Sequence, residues 1–485
     1  MSNVLFKTLA FKKKLYKYAP RTGVSGPASL KTVEIHQSKS QVRLQKVDAA
    51  TIERRVRQLL ADKVSGNLLG LWLLVPEHLR LGSWDLLVGW SAQPASCLEP
   101  RVALQMVHEA ALCVTGIRQQ RCLTHKGFEV LNGLPFIPPW RDTAIHKMLA
   151  AHKVREAQNL QIALGKLRYA SQHYKHQVIA LDPHRMRSFS KRQMPKRCAK
   201  PQKPSEKTQQ FFFALDVDTY QPIACTIGSS SITATQGTQD LMRLVTAILP
   251  QGALILADSE HFAVTLLNEI GKAAGFNLLI PVPQQPYRMK QIQQIPESQF
   301  QRHWAGYATA CIPYQPHGSK YPLYLFVQRN GEQTQKYFYN SFIATDNTER
   351  VWQLTAEFPK RWHVEEFFNL EQAMGWRRSS TLNLNIRYAR ASFALIAQAA
   401  LHQLRERLGP PYAQYTAEHF AQDLFGRLDG DLRVHKDTII VTYYNAPAVE
   451  SLKYHYENLP QKLQKEGVDP RIPWLYNFKL DFRFR

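Results

Sequence analysis

The chain has 485 residues, and its 62 Lys and Arg residues outnumber its 38 Asp and Glu residues, for a net charge of +24. With 44% hydrophobic and 21% charged residues, the composition is that of a globular protein of several domains and excludes a low-complexity chain. The charge favours a polyanionic partner, nucleic acid above all, because basic surfaces support sequence-independent phosphate contacts.

Nothing in the sequence indicates a membrane protein or a secreted one. The longest apolar run, 68–75, is far too short to cross a bilayer, so no membrane partner is expected. The N-terminus lacks the apolar core of a secretory signal. The six cysteines form no C-x-x-C pair and are predicted to be reduced thiols of a cytoplasmic protein.

The first part of the chain is predicted to be helical. Residues 1–45 read as a basic N-terminal arm, and residues 46–175 as an all-helical DNA-binding domain. Helices are predicted at 49–62, 79–90, 100–114, 126–131, 143–151 and 154–174, and no strand is predicted before Val178. The segment 124–152 fits either a helix-turn-helix or two ordinary packed helices.

At Val178 the pattern changes to short apolar runs, which favour a mixed α/β sheet. The predicted order is a strand ending at Asp182, a basic loop at 183–207, a hairpin at 211–227, a helix at 236–249, a strand ending at Asp258, a helix at 261–275 and a strand at 277–282. Residues 176–283 are therefore the first part of an α/β core.

The rest of the chain divides into three predicted segments. Residues 284–348 form a β-rich insertion with a hairpin around Asn330-Gly331, because Asn-Gly between alternating strands favours a tight turn. Residues 349–410 are the second, helical part of the core. Residues 411–485 form a C-terminal region with a strand at 437–444 and a helix at 448–466.

Three carboxylates occupy positions that can converge. Asp182 and Asp258 end apolar runs, and strand ends of an α/β sheet share a crevice. Glu365 follows on a helix, four residues after Arg361 and so on the same face. Converging carboxylates need a cation, and Mg²⁺ prefers oxygen ligands; two such ions can drive in-line attack on a phosphodiester.

Structural readings of the same residues stay open at this point. A strand-ending Asp is often a turn or cap residue, and Arg361 with Glu365 could be a surface ion pair. Asp216 is the alternative to Asp182, and Glu366 is the alternative to Glu365.

Four stretches, Ala180–Arg185, Thr219–Pro222, Leu256–His261 and Arg361–Phe368, resemble the DDE transposases of bacterial insertion sequences. The resemblance is to the group with a β-strand insertion before the glutamate, and it covers 175–410. It implies an α/β RNase H-like catalytic core with a β-rich insertion, preceded here by the all-helical N-terminal domain.

The resemblance also implies the chemistry. Asp182, Asp258 and Glu365 would be a catalytic DDE triad that binds two Mg²⁺ ions, with Mn²⁺ as a substitute. The enzyme would cleave DNA at transposon ends and transfer the freed strand into target DNA. The residues predicted to contact DNA are Arg361, Trp362, Arg185, Arg187, Lys191 and Arg192. Glu260 and His261 are predicted to support Asp258, or else to belong to a helix cap.

The partners implied are double-stranded DNA, as terminal inverted repeats and as target, and a second copy of the chain in a homodimer on DNA. A bacterial, nucleoid-associated cytoplasmic location goes with them. Two departures from the family signature are visible: Phe358 replaces a Tyr and Gln372 replaces a Lys, for which Arg377 or Arg378 could substitute. They suggest one alternative, a catalytically inactive DNA-binding derivative. A related nuclease that cuts without strand transfer is the other alternative that stays open.

Overall fold

The computed structural model describes residues 49–66, 68–114, 126–134, 142–188, 196–197, 206–229, 231–250, 252–272, 276–331, 337–345, 358–377, 381–410 and 412–485. These residues form two compact units. The first contains the described parts of 1–167, 186–207 and 368–485, and the second those of 168–185 and 208–367.

The α-helices are α1 (Ala49–Ala61), α2 (Val75–Arg80), α3 (Ser83–Ser91), α4 (Leu98–Ala111), α5 (Lys126–Leu131), α6 (Asp142–Ala151), α7 (Val154–Ala170), α8 (Ala234–Ile248), α9 (Val264–Lys272), α10 (Pro286–Gln293), α11 (His363–Glu371), α12 (Leu384–Leu408), α13 (Ala417–His419), α14 (Val449–Tyr456) and α15 (Leu459–Lys465). Short 3₁₀ turns include Ser259–His261, Phe358–Trp362 and Gln372–Met374.

The strands are β1 (Val64–Gly66), β2 (Val178–Arg187), β3 (Lys196–Arg197), β4 (Glu206–Asp216), β5 (Gln221–Ser229), β6 (Leu254–Ala257), β7 (Asn277–Pro281), β8 (Gln301–Trp304), β9 (Tyr307–Tyr314), β10 (Leu323–Asn330), β11 (Phe338–Ala344), β12 (Gly430–His435), β13 (Thr438–Tyr443), β14 (Arg471–Ile472) and β15 (Phe478–Phe484).

The first unit packs helices with a small sheet ordered β1-β12-β13-β15-β14. Its longest helix, α12, is buried along most of its length and packs against α4, as expected of a helix that is apolar on several faces. A buried carboxylate links distant parts of this unit: Glu77 pairs with Arg80 and Arg407 and accepts a hydrogen bond from the hydroxyl of Tyr456.

The second unit is built on a mixed sheet in which β4, β2, β6, β7, β11, β10, β9 and β8 are successive neighbours and β5 pairs with β4. β2, β6 and β7 are parallel, whereas the β4–β5 hairpin and the strands from β11 to β8 are antiparallel. β6 is buried throughout, which is why it reads as a continuous apolar run.

Helix α8 lies unusually close to the sheet. It begins with a capping box in which Thr233 and Gln236 satisfy each other's backbone N–H groups, a strong start signal. A Cβ atom on Gly237 would lie 2.3 Å from the ring of Phe212. Only a glycine permits this approach, so the aromatic side chains of β4 and the helix face are matched in shape.

Most predicted elements are confirmed with shifted ends. In α1 the predicted stripe of Ile52, Val56, Leu59 and Leu60 is buried. The predicted hairpins appear as β4–β5 and β10–β11. The second is wider than a two-residue turn, because Asn330 pairs with Phe338.

Four expectations were wrong in detail. β2 continues to Arg187 instead of ending at Asp182; Pro183 is tolerated there because β6 has already ended at Ala257 and needs no donor from it. The predicted helices at 79–90 and 448–466 are each interrupted, at Gly82 (φ +61°) and Asn458 (φ +56°). A strand, β1, is present before Val178 and pairs with β12.

Some of the predicted segments lie outside the described residues and cannot be compared with the structure. The arm 1–45 and the connection between α5 and α6 lie outside them, so the helix-turn-helix stays a prediction, as does the division into domains. Within the described chain, every helix is too short or too polar to span a membrane.

Candidate active site

Asp182 and Asp258 come directly after the last paired residues of two neighbouring parallel strands. Val178 of β2 pairs with Leu254 of β6, and Leu181 pairs with Ala257. Asp182 and Asp258 are each the next residue after the last paired position, so they lie at the same level along the two strands. In parallel strands this places both side chains on the same face, at the same edge of the sheet.

Glu365, on α11, belongs to the same electrostatic cluster. The negative charges of Asp258 and Glu365 both act on the ionisation of Asp182. Among the sequence-predicted residues, Asp258, Glu365 and the cation Arg361 thus lie within electrostatic range of Asp182. Glu365 itself is exposed, which leaves its carboxylate accessible from solvent.

Arg361 bonds to Asp182 and not to its helical neighbour Glu365. Its Nη1 lies 2.6 Å from Asp182 Oδ1, with the two side chains only 13% and 15% exposed. The reading as a surface i,i+4 ion pair is therefore wrong. Burial, the largest effect, raises the pKa of Asp182 to about 6, with Arg361 opposing the rise and the other carboxylates adding to it.

Asp258 is held by the turn that follows it. Its Oδ1 accepts hydrogen bonds from the backbone N–H of Glu260 and from Nδ1 of His261, both at 2.9 Å. Burial on its own would raise the pKa of Asp258, but the hydrogen bond and charge of His261, with Arg361, outweigh it and leave that pKa lowered. Asp258 is thus favoured as an ionised carboxylate.

The rival carboxylates have other partners. Asp216 is fully buried and accepts hydrogen bonds from the backbone N–H groups of His176 and Thr219 and from the Thr219 hydroxyl. That is the pattern of a turn-forming Asp. Glu366 interacts with the hydroxyl of Tyr220. Burial raises the pKa of Tyr220, and the charge and hydrogen bond of Glu366 raise it further. This geometry favours Asp182 and Glu365 as the members of the cluster.

One contact that the sequence did not indicate anchors the start of α11. The ring of His363 stacks on Tyr220, with centroids 4.3 Å apart. Its Nδ1 lies 2.9 Å from the Val217 carbonyl oxygen and its Nε2 lies 3.1 Å from the Tyr220 hydroxyl. Because Glu365 is two residues further on, this contact fixes it relative to the β4–β5 turn.

The residues predicted to bind DNA have mixed surroundings. Trp362 is 55% exposed, beside the Arg361 guanidinium at 5.7 Å from its ring centre. Arg185 is engaged by both carboxylate oxygens of Glu260. Arg187 is the last residue of β2 and its side chain lies outside the described residues, as do Lys191 and Arg192.

The two departures from the family signature have structural counterparts. Phe358 packs its ring against Phe342 at 5.0 Å between centroids, so this position makes an apolar contact. Gln372 opens a 3₁₀ turn after α11. Arg377 pairs with Glu418 at 3.1 Å, and Arg378 lies outside the described residues.

The carboxylate oxygens of this cluster are of the type that a hard divalent cation prefers, but the distances between the residues are too large for them to share one ion. Asp182 Oδ2 and Asp258 Oδ2 have no hydrogen-bond partner in the described part of the chain, and carboxylate oxygens are ligands of Mg²⁺. Yet no three His, Cys, Asp or Glu residues among those described lie close enough together to hold an ion, and Arg361 provides the positive charge at Asp182.

Comparison with known proteins finds one family that is similar to part of the chain. Residues 173–399 match the family model described as the transposase DDE domain. The match covers just under half of the chain, and this segment is similar to the DDE transposases. No curated protein gives a significant match to the chain. Among solved structures, the piggyBac transposase synaptic complex with hairpin DNA is similar, with a TM-score of 0.41 and 12% identity over 73% of this chain and 79% of that one. Similarity at this level does not establish a shared fold.

The matched segment contains all four clustered residues, Asp182, Asp258, Arg361 and Glu365. The predicted resemblance to DDE transposases is thereby confirmed at the level of the family. The similarity of this segment to the transposase DDE domain supports a function in DNA transposition.

Proposed function

We propose that this protein is a transposase that cleaves DNA at the ends of an insertion sequence and joins the freed strand to target DNA. Asp182, Asp258 and Glu365 are its catalytic triad. The observation that carries the proposal is the register of β2 with β6, which puts two carboxylates at one sheet edge, within the electrostatic reach of a third.

An RNase H-like core is part of this proposal. It is the fold that the family resemblance implies. A sheet with three parallel central strands, flanked by the antiparallel β4–β5 hairpin and by helices such as α8, supports it. The strands from β8 to β11 extend the same sheet beyond β7, in keeping with the predicted β-rich insertion at 284–348.

The family resemblance implies that the triad holds Mg²⁺ or Mn²⁺, although its three carboxylates are not close enough together in this structure to share an ion. When bound, such ions supply activation of water or of a 3′-hydroxyl and neutralisation of the leaving oxygen. The chain itself contributes the positioning. Asp258 is fixed by two hydrogen bonds to one oxygen, and Glu365 by the His363 contact at the start of its helix.

Arg361 and Trp362 are the DNA-contacting residues that this geometry favours. A guanidinium beside the triad can pair with a phosphate, and an exposed indole can stack on an unpaired base. We propose that the phosphates of flanking DNA are contacted, independently of sequence, by the basic arm and by Arg185, Arg187, Lys191 and Arg192. The homodimer on DNA and the nucleoid-associated, cytoplasmic location belong to the same proposal.

The test is magnesium-dependent nicking of DNA that carries the inverted repeats flanking the gene. Asp258→Ala should abolish nicking and retain DNA binding, measured by gel shift. Asp240→Ala, which removes a half-exposed carboxylate of α8, is the matched control and should nick normally. Nicking by Asp258→Ala at the wild-type rate would refute the assignment of the triad.

Phe358 favours one alternative, a catalytically inactive DNA-binding derivative. Its ring contact with Phe342 replaces the hydroxyl expected at this signature position, and with it a phosphate contact. A pre-cleaved end with a free 3′-hydroxyl separates the alternatives. The transposase joins it to target DNA, the nuclease nicks uncut ends but joins nothing, and an inactive derivative does neither.

A further inference from the structure

We infer that Arg288, in the first turn of α10, binds a phosphate group of the DNA strand that is cut and so anchors that strand beside Asp258. The inference rests on the proposed function, because it takes DNA to be the substrate. It gives a role to a side chain for which neither the family resemblance nor the triad provides one.

The register of the sheet places α10 at the edge where the two aspartates lie. Leu256 of β6 pairs with Leu279 of β7. Two residues further along each strand, Asp258 is level with Pro281, the last residue of β7. The chain then enters α10 at Pro286. Because β6 and β7 are parallel, α10 follows the carboxyl end of the sheet, where open α/β sheets bind their ligands.

The guanidinium group of Arg288 is held against two aromatic rings. Its central carbon lies 4.5 Å from the ring centre of Phe262 and 5.3 Å from that of Tyr287. Its Nη1 lies 3.4 Å from the carbonyl oxygen of Pro283, and the side chain is half-buried. Stacking fixes the plane of a guanidinium and leaves its N–H groups, which lie in that plane, able to pair with a phosphate.

Arg288 has this fixed position without an acidic partner in the described part of the chain. Arg329 of the same unit provides the comparison. It also lies against two rings, those of Phe300 and Tyr337, at 4.2 and 4.5 Å, but both of its Nη atoms bond to Glu297. The stacked arginine with a structural role thus has its counter-charge within the protein. At Arg288 a phosphate of the substrate would supply that charge.

The same stack connects Arg288 to the turn that holds Asp258. Phe262 directly follows the 3₁₀ turn Ser259–His261. At about 2 Å per residue, this turn and the ring contact put the guanidinium roughly 12 Å from Asp258, the length of about three or four nucleotides of one DNA strand. Tyr287, whose side chain is 53% exposed, leaves the approach to Arg288 open on the solvent side.

The test compares two replacements of Arg288 in the full chain. Arg288→Gln keeps a planar polar group and removes the charge, whereas Arg288→Lys keeps the charge and loses the planar fork. Arg243→Gln is the matched control, because it also removes one positive charge from this unit. The Arg243 side chain is 77% exposed on α8 and pairs with Asp240, on the helix that leads to the opposite end of β6. Melting temperatures establish that each variant is folded.

The readout is fluorescence anisotropy of duplex DNA that carries the flanking inverted repeat, titrated at several salt concentrations. We expect Arg288→Gln to raise the dissociation constant about 10-fold, as for loss of one hydrogen bond to a charged group. The slope of log affinity against log salt concentration should become shallower by about 0.9, the contribution of one phosphate. Arg288→Lys should keep the wild-type slope and bind a few-fold more weakly, and Arg243→Gln should match wild type.

A second measurement identifies the phosphate. Uncharged methylphosphonates replace single phosphates, one at a time, within about five nucleotides of the cleavage site. One of these replacements should weaken binding by wild type and by Arg243→Gln. It should have little further effect on Arg288→Gln, because two changes that remove the same contact are not additive.

Three results overturn the inference. The first is equal affinity and equal salt slope for wild type and Arg288→Gln. The second is equal weakening by Gln and Lys with an unchanged slope, which would show that packing and not charge matters. The third is a methylphosphonate scan in which Arg288→Gln responds as wild type does at every position. All three leave the proposed function intact, since nicking by Asp258→Ala tests it separately. If wild type binds no DNA, both fail.

Discussion

Replacing Arg361 with Met should destabilise the second unit through electrostatics. The substitution keeps much of the aliphatic volume and removes the only cation bonded to Asp182 within the described chain. Asp182 would then lose its bonded counter-charge while Asp258 and Glu365 continue to disfavour its ionisation. Breaking a buried pair from one side costs roughly 3–5 kcal/mol, and with side chains 13% and 15% exposed we expect about 3 kcal/mol, at the lower end of that range.

The assay is urea unfolding followed by tryptophan fluorescence in a double-mutant cycle with Asp182→Asn. Neutralising Asp182 removes the unpaired charge, so the double variant should be more stable than Arg361→Met alone, with a coupling energy of about 1–3 kcal/mol. Arg185→Met is the matched control. It breaks a pair whose acceptor, Glu260, is 41% exposed, and it should lose less than about 1 kcal/mol.

The cycle also has an outcome that refutes this reasoning. If Arg361→Met loses no more stability than Arg185→Met, the pair with Asp182 is not the electrostatic centre of the site. A coupling energy indistinguishable from zero would lead to the same conclusion.

Three further predictions concern separate parts of the chain. Burial lowers the pKa of His108 to about 4, so the folded state favours the neutral ring and loses stability as pH falls below the ordinary histidine value. Relative to His108→Asn, wild type should lose about 2 kcal/mol more between about pH 8 and about pH 5 in urea unfolding; parallel losses would contradict this. Trp362→Ala should weaken binding of DNA with unpaired bases by about 1–3 kcal/mol in fluorescence anisotropy without lowering the melting temperature, and an unchanged affinity would remove its stacking role. Asp216→Ala should lower the melting temperature by several degrees through lost turn hydrogen bonds, whereas Asp182→Ala should abolish nicking; the reverse pattern would exchange their roles.

The sheet of the second unit could be predicted because its central strands are buried. A strand covered on both faces reads as a run of apolar residues, as in β6 and β7, and a polar residue that ends such a run is conspicuous. The positions of Asp182 and Asp258 followed from this alone. Helix α1 was predictable for a similar reason, since its apolar stripe repeats at the helical period.

Some other features depend on distant partners and left no local signal, whereas one strand had a signal that was missed. The ion pair between Asp182 and Arg361 joins residues 179 positions apart, and the helical spacing of Arg361 and Glu365 suggested a different pair. β1 is three residues long and exists because it pairs with β12. β15 alternates polar and apolar residues, a period-2 signal that could have been read from the sequence.

The order of strands along the chain has a consequence for the nascent protein. β2 is made first but lies between β4 and β6, so the middle of the sheet waits for segments synthesised later. Four further strands, β8 to β11, then separate β7 from the helix that carries Glu365. A nascent chain that has not yet reached this helix contains Asp182 and Asp258 but not Glu365. On the proposed mechanism, an unfinished polypeptide on the ribosome cannot cut DNA, and scission waits until translation has passed the whole sheet.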